Sequence, residues 1–422
     1  MSPSILSSPS TQPGGVSKPT GPVVDQPTGI LDRSVFPDGL RTSGQHSPIP
    51  ALIHPYESFP KEITGPTVWK PEDYQTHPDR WTHPFSPEEI AELGQAADHF
   101  IASQAPLTAI AKELFPLPTL GPFFHKLKRE IIDGRGFILF KGIPVNEWSN
   151  LKCAVAYLGL GTYFGYFLSQ NAKGHILGHV QNLGEDQSKS AHPIRIYRTN
   201  KRQFFHTDSS DIVGLLCMAK AESGGESDIA STHHIFNTLQ REHPDVVETF
   251  TKNNWYFDRK GEWSEGEEPY YKMPVFMLEN EEDPLKRRVY ARYDPMGVTT
   301  LARYNQGPEA IIPPLSAEQK HAIEVFEETA GRLALHMVLN PGDIQLLANS
   351  HVFHARTAYT DWPQGAVDEQ GRPRKQRQLM RLWLATPEDE GGWKLPFADS
   401  KEKKRGGVQR DDTPPHCPLG AE

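Results

Sequence analysis

The sequence predicts a mainly β domain, an antiparallel barrel or sandwich held in a jacket of helices. Three observations predict it. Apolar runs of strand length recur from about residue 137 to residue 385. Short turns rich in Gly, Pro, Asn or Asp separate them at hairpin-like spacing. The helical segments stand outside the groups of strands, where they can cover a sheet.

Composition narrows the class. The 422 residues allow one large domain or two. A net charge of −9 argues against a nucleic-acid binder, which usually carries a basic balance. No run reaches 18 apolar residues, so no membrane helix is expected. The start, Met1-Ser-Pro-Ser-Ile-Leu, has neither the basic segment nor the apolar segment of a secretory signal. The cysteines, Cys153, Cys217 and Cys417, are widely spaced and form no Cys-x-x-Cys pair. That suits a reducing, cytoplasmic setting and excludes a cysteine-based zinc site.

Taken in order, residues 1–48 are rich in Ser, Pro, Thr and Gly and read as a disordered tail. Residues 49–397 read as a single domain, with an irregular, aromatic-rich wrap before the first helix. Ser86-Pro87-Glu88-Glu89 is a capping box and opens a helix to about Ala102. Helices are also expected near 107–114, 121–132 and 146–160, and a buried strand from Phe137 to Pro144. Strands follow around His206, over 211–221 and over 227–230, then a helix over 236–251. Short strands fall near 274–278 and 288–293, and a second capping box at Ser316 opens a helix to about Leu333. His336 to Leu339, Ile344 to Ala348, the run around His354, and Arg377 to Ala385 complete the strands. Asn340-Pro341-Gly342-Asp343 has the pattern of a type II turn. Residues 398–422 are charged and Pro-rich and read as a second disordered tail.

The candidate chemistry starts at Phe204-Phe205-His206-Thr207-Asp208. On a strand, residues i and i+2 share a face about 7 Å apart, so His206 and Asp208 could grip one ion. The alternative is a chance surface triplet. His354 lies on a later strand. Two imidazoles and one carboxylate that leave three positions open suit Fe(II) and O₂ chemistry. Zinc would be expected to use more nitrogen or sulfur. On the last strand Arg377, Leu379, Arg381 and Trp383 share one face, and Met380, Leu382 and Leu384 share the other. Both faces are apolar, so the strand is covered on both sides and its arginines need partners. Those partners are either structural carboxylates or a bound anion such as a dicarboxylate, which arginine grips bidentately. Arg202 and Gln203, just before His206, are candidates to line a substrate pocket or to sit at the surface, and Gln181-Asn182 is a further pocket candidate. Arg356 reads as a supporting or structural residue. His351, three residues from His354, should face the other way and not bind metal. His233-His234 reads as a loop or helix start.

These residues together resemble the iron(II)- and 2-oxoglutarate-dependent dioxygenases related to taurine dioxygenase and clavaminate synthase, over about residues 120 to 390. His206-Thr207-Asp208 is similar to the family's His-x-Asp pair, and His354-Ala355-Arg356-Thr357 to its distal-histidine motif. Gly224-Gly225-Glu226-Ser227 resembles a Gly-Gly-Asp-Thr turn, and Arg377-Gln-Leu-Met-Arg381 the Arg-x-x-x-Arg that follows. The resemblance implies a double-stranded β-helix, or jelly-roll barrel, with flanking helices. It implies Fe(II) on His206, Asp208 and His354, which are also the catalytic set. It implies 2-oxoglutarate on Arg377 and Ser227, and a substrate anion near Arg381. O₂ would be the oxidant, with succinate and CO₂ released. The expected activity is oxidation, most simply hydroxylation, of a small anionic molecule. No nucleic acid or membrane partner is expected, and the oligomeric state is open, a homodimer included. The competing readings are a non-catalytic cupin-like binding protein and a zinc-dependent lyase or hydrolase.

Overall fold

The computed structural model of the chain describes residues 53–185, 194–263, 268–301, 312–397, 407–408 and 413–421. The tail expected over 1–48 lies outside them. The strands are β1 (Thr82–Pro84), β2 (Phe137–Lys141), β3 (Tyr166–Phe167), β4 (Leu177–Gln181), β5 (Gln203–His206), β6 (Ile212–Ala219), β7 (Ser223–Gly224), β8 (Ser227–Ser231), β9 (Trp255–Asp258), β10 (Tyr270–Met273), β11 (Phe276–Leu278), β12 (Val289–Ala291), β13 (Leu335–Met337), β14 (Ile344–Ala348), β15 (Val352–Arg356), β16 (Tyr359–Thr360) and β17 (Gln378–Ala385). The helices are α1 (Glu72–Gln75), α2 (Pro87–Ala102), α3 (Leu120–Asp133), α4 (Asn150–Thr162), α5 (Thr232–Glu242), α6 (Pro244–Thr251), α7 (Pro295–Thr299) and α8 (Ala317–Arg332).

Two sheets face each other. The larger runs β1-β2-β14-β6-β17-β3, with β4 also on β17, and only its β1–β2 pair is parallel. The smaller is antiparallel, in the order β13-β8-β15-β5. The chain alternates between them: β4 large, β5 small, β6 large, β8 small, then β13 small, β14 large, β15 small and β17 large.

Side-chain alternation builds four layers. One face of the large sheet (Ile138, Phe140, Leu216, Leu346, Leu382) packs on α2, α3 and α4. One face of the small sheet (Phe205, Ala230, Phe353, Ala355) packs on α5, α6 and α8. Between the sheets lie Leu139, Val213, Leu347, Leu379 and Trp383 from one, and Ile229, Leu335 and Val352 from the other. Strands covered on both faces must be apolar throughout. That is why β14, β15 and β17 read as near-continuous hydrophobic runs, and why any polar group they carry inward is a candidate for function.

Local signals place most elements. Ser86 and Ser316 each accept from the backbone N–H three residues on, and Glu89 and Gln319 reach back to close both capping boxes. Gly342 has φ +91°, and the Asp343 N–H donates to the Asn340 carbonyl at 2.9 Å, as the Pro-Gly turn requires. Three expectations are corrected. The helix over 107–114 is a single 3-10 turn, Leu107–Ala109, between Pro106 and an extended Ile110. The helix over 146–160 starts only at Asn150, because Ser149 is the residue that caps it. The helix over 236–251 is two helices, broken at His243-Pro244, and the first begins at Thr232 under a Ser231 cap. A proline ring and its missing N–H explain the break. The strands β1, β3, β4, β7, β9, β10 and β16 fall where the sequence predicts none.

Part of the stretch read as a disordered tail is docked. The His416 N–H donates to the Gly174 carbonyl and the Ile176 N–H to the His416 carbonyl. Cys417 and Leu419 pack against the core under α2–α4. The Gly407 N–H reaches the Ser209 carbonyl and the Val408 N–H the Ser169 carbonyl. Backbone pairing and apolar residues at 408, 417 and 419 outweigh the charged composition around them.

Candidate active site

The site sits between the sheets at the β5–β15 ladder. His206 and His354 are register partners there, with ring centroids 4.1 Å apart. Asp208 lies beyond the end of β5, so it is held by other bonds than strand pairing. Its N–H donates to Asn349 Oδ1 at 3.0 Å, and Thr207 is tied to Tyr293 through both its backbone N–H and its hydroxyl. Asp208 Oδ1 is 3.9 Å from His206 Nε2, and Oδ2 is 3.8 Å from His354 Nε2. One atom from each residue lies within 4.8 Å of the others, close enough for one ion to touch all three.

The electrostatics suit a cation. The Nδ1–H of His206 faces the Phe204 carbonyl at 2.9 Å, which leaves its Nε2 as an acceptor. Burial, reinforced by His206 and Arg381 and opposed by Asp208, pushes His354 down to about 3, so its imidazole is neutral. Burial would push the Asp208 carboxyl up, but nearby positive charge, that of Arg381 first, more than offsets it and holds it below the ordinary range. Asp208 Oδ2 is buried with no hydrogen-bond donor. A buried carboxylate oxygen without a donor is costly, and a metal ion is the partner that this donor set fits. The set is two nitrogens and one oxygen, the facial triad of non-haem iron.

The arginines of β17 also point inward. Arg377, just before the strand, is buried. Its Nη2 donates to the Gly225 carbonyl at 3.0 Å, and its Nη1 is buried without an acceptor. Gly225, at φ +79°, leaves room for it: a Cβ there would lie 2.6 Å from Arg377 Nε. Ser227 borders the same cavity as the three ligands and Arg377, its hydroxyl bonded to the Gln345 amide. Arg381 sits 3.6 Å from Asp208 Oδ2 and stacks between Tyr197 and Trp383. Its Nε donates to Gln170 Oε1 at 2.8 Å. The Gln170 amide N–H groups go to the Arg381 and Ile176 carbonyls, so the orientation of that amide is fixed.

The remaining sequence candidates divide. Gln203 reaches the site, its amide nitrogen 2.8 Å from His206 Nε2. Arg202 does not: it is exposed, paired with Glu327 of α8 at 2.6 Å and stacked on Phe204. Reading it as a pocket residue is therefore corrected. Gln181 pairs with Gln378 along β4–β17, and Asn182 bonds Asp361, outside the cavities around the ligands. His351 and His233 are buried structural groups, bonded to the Gly134 and Val289 carbonyls. The sequence reading missed Gln170, Tyr197 and Tyr359. Outside Arg381 a cavity of 300 Å³, room for a small molecule, is bordered by Gln170, Arg195, Tyr197, Lys260 and Ala421. Gly407 and Val408 close a neighbouring cavity that reaches His206 and Asp208. Arg202→Ala should leave the substrate KM within about twofold, as expected for a surface ion pair. A tenfold rise in steady-state assays would return the residue to the pocket.

A facial triad between two sheets, with buried arginines beside it, defines a 2-oxoglutarate-dependent dioxygenase, the class that uses Fe(II), 2-oxoglutarate and O₂. Residues 103–383 match the taurine catabolism dioxygenase TauD, TfdA family, and the chain belongs to that family. It is 29% identical over 362 residues to FR-33289 synthase of Streptomyces rubellomurinus (strain ATCC 31215), across 85% of this chain and 99% of the relative. It is 28% identical over 322 residues to the taurine hydroxylase-like protein SAT17 of Stachybotrys chartarum (strain CBS 109288 / IBT 7711), across 75% and 78%. Among solved structures it is similar to an asparagine oxygenase in complex with Fe(II), 2S,3S-3-hydroxyasparagine and succinate. That likeness has a TM-score of 0.52 and 15% identity, and covers 72% of this chain and 93% of the other. A variant of the non-heme iron oxygenase OrfP in complex with (3S)-hydroxy-L-Arg gives a TM-score of 0.50 at 12% identity, over 72% and 94%. At these identities the two structures speak for the fold, with mixed and antiparallel sheets and flanking helices. No helix among the described residues is long and apolar enough to cross a membrane.

Proposed function

We propose that the protein hydroxylates a small anionic organic molecule, with release of succinate and CO₂. One observation carries this reading. Two buried arginines, Arg377 and Arg381, face the cavity beside the triad, and Nη1 of Arg377 has no acceptor. Such a donor is matched by a carboxylate.

His206, Asp208 and His354 would hold Fe(II). When bound, Fe(II) supplies the redox chemistry that couples decarboxylation of 2-oxoglutarate by O₂ to oxidation of a substrate C–H bond. Arg377 and the Ser227 hydroxyl would grip the far carboxylate of 2-oxoglutarate and so set the depth at which its keto-acid end lies. Arg381, fixed by Gln170 and stacked between Tyr197 and Trp383, would orient the anionic group of the substrate. With Asp208 engaged by the metal, Arg381 is free to take that anion. Apolar Leu215, Leu379 and Val180 keep water from the reacting centre. Residues 49–397 are read as one catalytic domain. The alternation of strands between the two sheets supports a double-stranded β-helix. The free cysteines support a cytoplasmic setting.

The test is a screen. Purified protein with Fe(II), ascorbate and 2-oxoglutarate is given amino acids, sulfonates and small carboxylic acids, and succinate is measured. At least one anionic class should stimulate succinate formation. Tight binding of Fe(II) and 2-oxoglutarate without any succinate would favour a non-catalytic binding protein.

A further inference from the structure

The proposed function leaves a buried cation of the metal-site cavity unused. Arg356 is the last residue of β15, two beyond His354, and lies in register with Ser227. It is 6% exposed and borders the same cavity as the metal ligands, Ser227 and Arg377. Its Nη2 ties down the preceding loop by donating to the Thr199 and Lys201 carbonyls. Its Nε and Nη1 are buried with no acceptor. Arg377 contributes another such nitrogen to the same space. Both guanidiniums lie against the Tyr359 ring, at 5.0 and 4.9 Å from its centroid.

Two buried guanidiniums bordering one cavity are unfavourable. Each loses hydration, and the two repel. Burial, with Arg377 adding to it, pushes Arg356 down to about 10, where it is still charged at neutral pH. Tying the 199–201 loop explains Nη2 but not the other two nitrogens. A neutral donor could make that tie without bringing a second charge into the cavity. Three unfilled donors on two neighbouring forks match the oxygens of one carboxylate.

We infer that Arg356 is a second binding residue for the far carboxylate of 2-oxoglutarate, completing with Arg377 a two-arginine cradle around Tyr359. This rests on the proposed use of 2-oxoglutarate. The cradle makes the site selective for a keto acid with a second carboxylate. It adds nothing for pyruvate, whose single carboxylate belongs at the metal end.

The experiment is an anaerobic titration of the Fe(II)-loaded protein, following the visible absorption band that forms when a keto acid chelates the metal. 2-Oxoglutarate and pyruvate are compared in the wild type, Arg356→Gln and Arg356→Lys. Gln removes the charge and, two bonds shorter, also gives up the tie to the Thr199 and Lys201 carbonyls, so the pyruvate titration separates loss of that tie from loss of the anion contact. Arg356→Gln should weaken 2-oxoglutarate by about 10- to 100-fold and leave pyruvate within about twofold, the size of a charged hydrogen-bonded contact. Arg356→Lys keeps the charge without the fork and should fall between. Equal weakening of both acids would make Arg356 a structural tether only, and an unchanged 2-oxoglutarate affinity would remove it from the site; either result overturns the cradle. Wild-type protein that loads Fe(II) yet gives no band with 2-oxoglutarate overturns the functional reading and the cradle with it. Normal wild-type binding with an unaffected Arg356→Gln overturns the cradle alone. Circular dichroism confirms that each variant is folded, with Arg356→Lys as the milder change.

Discussion

His206→Ala should abolish succinate formation while the chain stays folded. Among the described residues His206 belongs to the trio that can face an ion between the sheets, and its cross-strand partner is another of them. Removing it leaves His354 and the donor-less Asp208 Oδ2, two ligands where the chemistry needs three. Losing a group that merely orients a ligand costs about 10- to 100-fold. Losing the ligand itself should cost more than about 10³-fold. The fold should tolerate the change, because Phe205 anchors β5 in the helix-facing core and Thr207 is bonded to Tyr293. The checks are succinate by chromatography and the far-ultraviolet dichroism of the variant. A folded His206→Ala with turnover within tenfold of the wild type would mean that the triad is not the iron site.

Arg377→Ala should raise the 2-oxoglutarate concentration for half-maximal turnover by about 10- to 100-fold, from the loss of a charged contact of about 1.5–3 kcal/mol. Among the described residues Arg377 makes no close ion pair, and Asp361 attracts it only through space, so the substitution strands no tightly paired anion. It does break the bond to the Gly225 carbonyl, which is why Arg377→Lys is the useful companion. Lysine retains the charge but not the fork, and should recover only part of the affinity. Saturating 2-oxoglutarate should restore much of the turnover of either variant, because the reacting end of the co-substrate is held elsewhere. A half-saturation unchanged by Arg377→Ala would shift the role to Arg381.

Most of this was legible in the chain, for physical reasons. The two capping boxes are local chemistry and open their helices at the expected residues. The inward arginines of β17 could be read because a strand apolar on both faces has nowhere else to put them. The triad could be read because its motifs keep their order along the chain. Arg202 and Gln203 could not be sorted from the sequence. The pairing of β5 with β15 shifts register between His354–His206 and Arg356–Gln203, an irregularity that puts one extra residue on β5. It turns Gln203 to the same side as His206 and leaves Phe204 exposed, contrary to simple alternation. Gln170 left no signal at all. Its role depends on meeting Arg381 from 211 residues away, and on Gly178, where a Cβ would stand 2.3 Å from the Gln170 oxygen.

The docked residues near the C-terminal end have a consequence for any shortened form of the chain. The three residues proposed to hold the metal, His206, Asp208 and His354, all precede residue 355. The arginines proposed to receive anions follow at 377 and 381. The outer wall, with Gly407, Val408 and Ala421, comes last. A chain ending between residues 385 and 407 would keep His206, Asp208, His354, Arg377 and Arg381 but lack Gly407 and Val408 from the wall of the cavity that reaches His206 and Asp208.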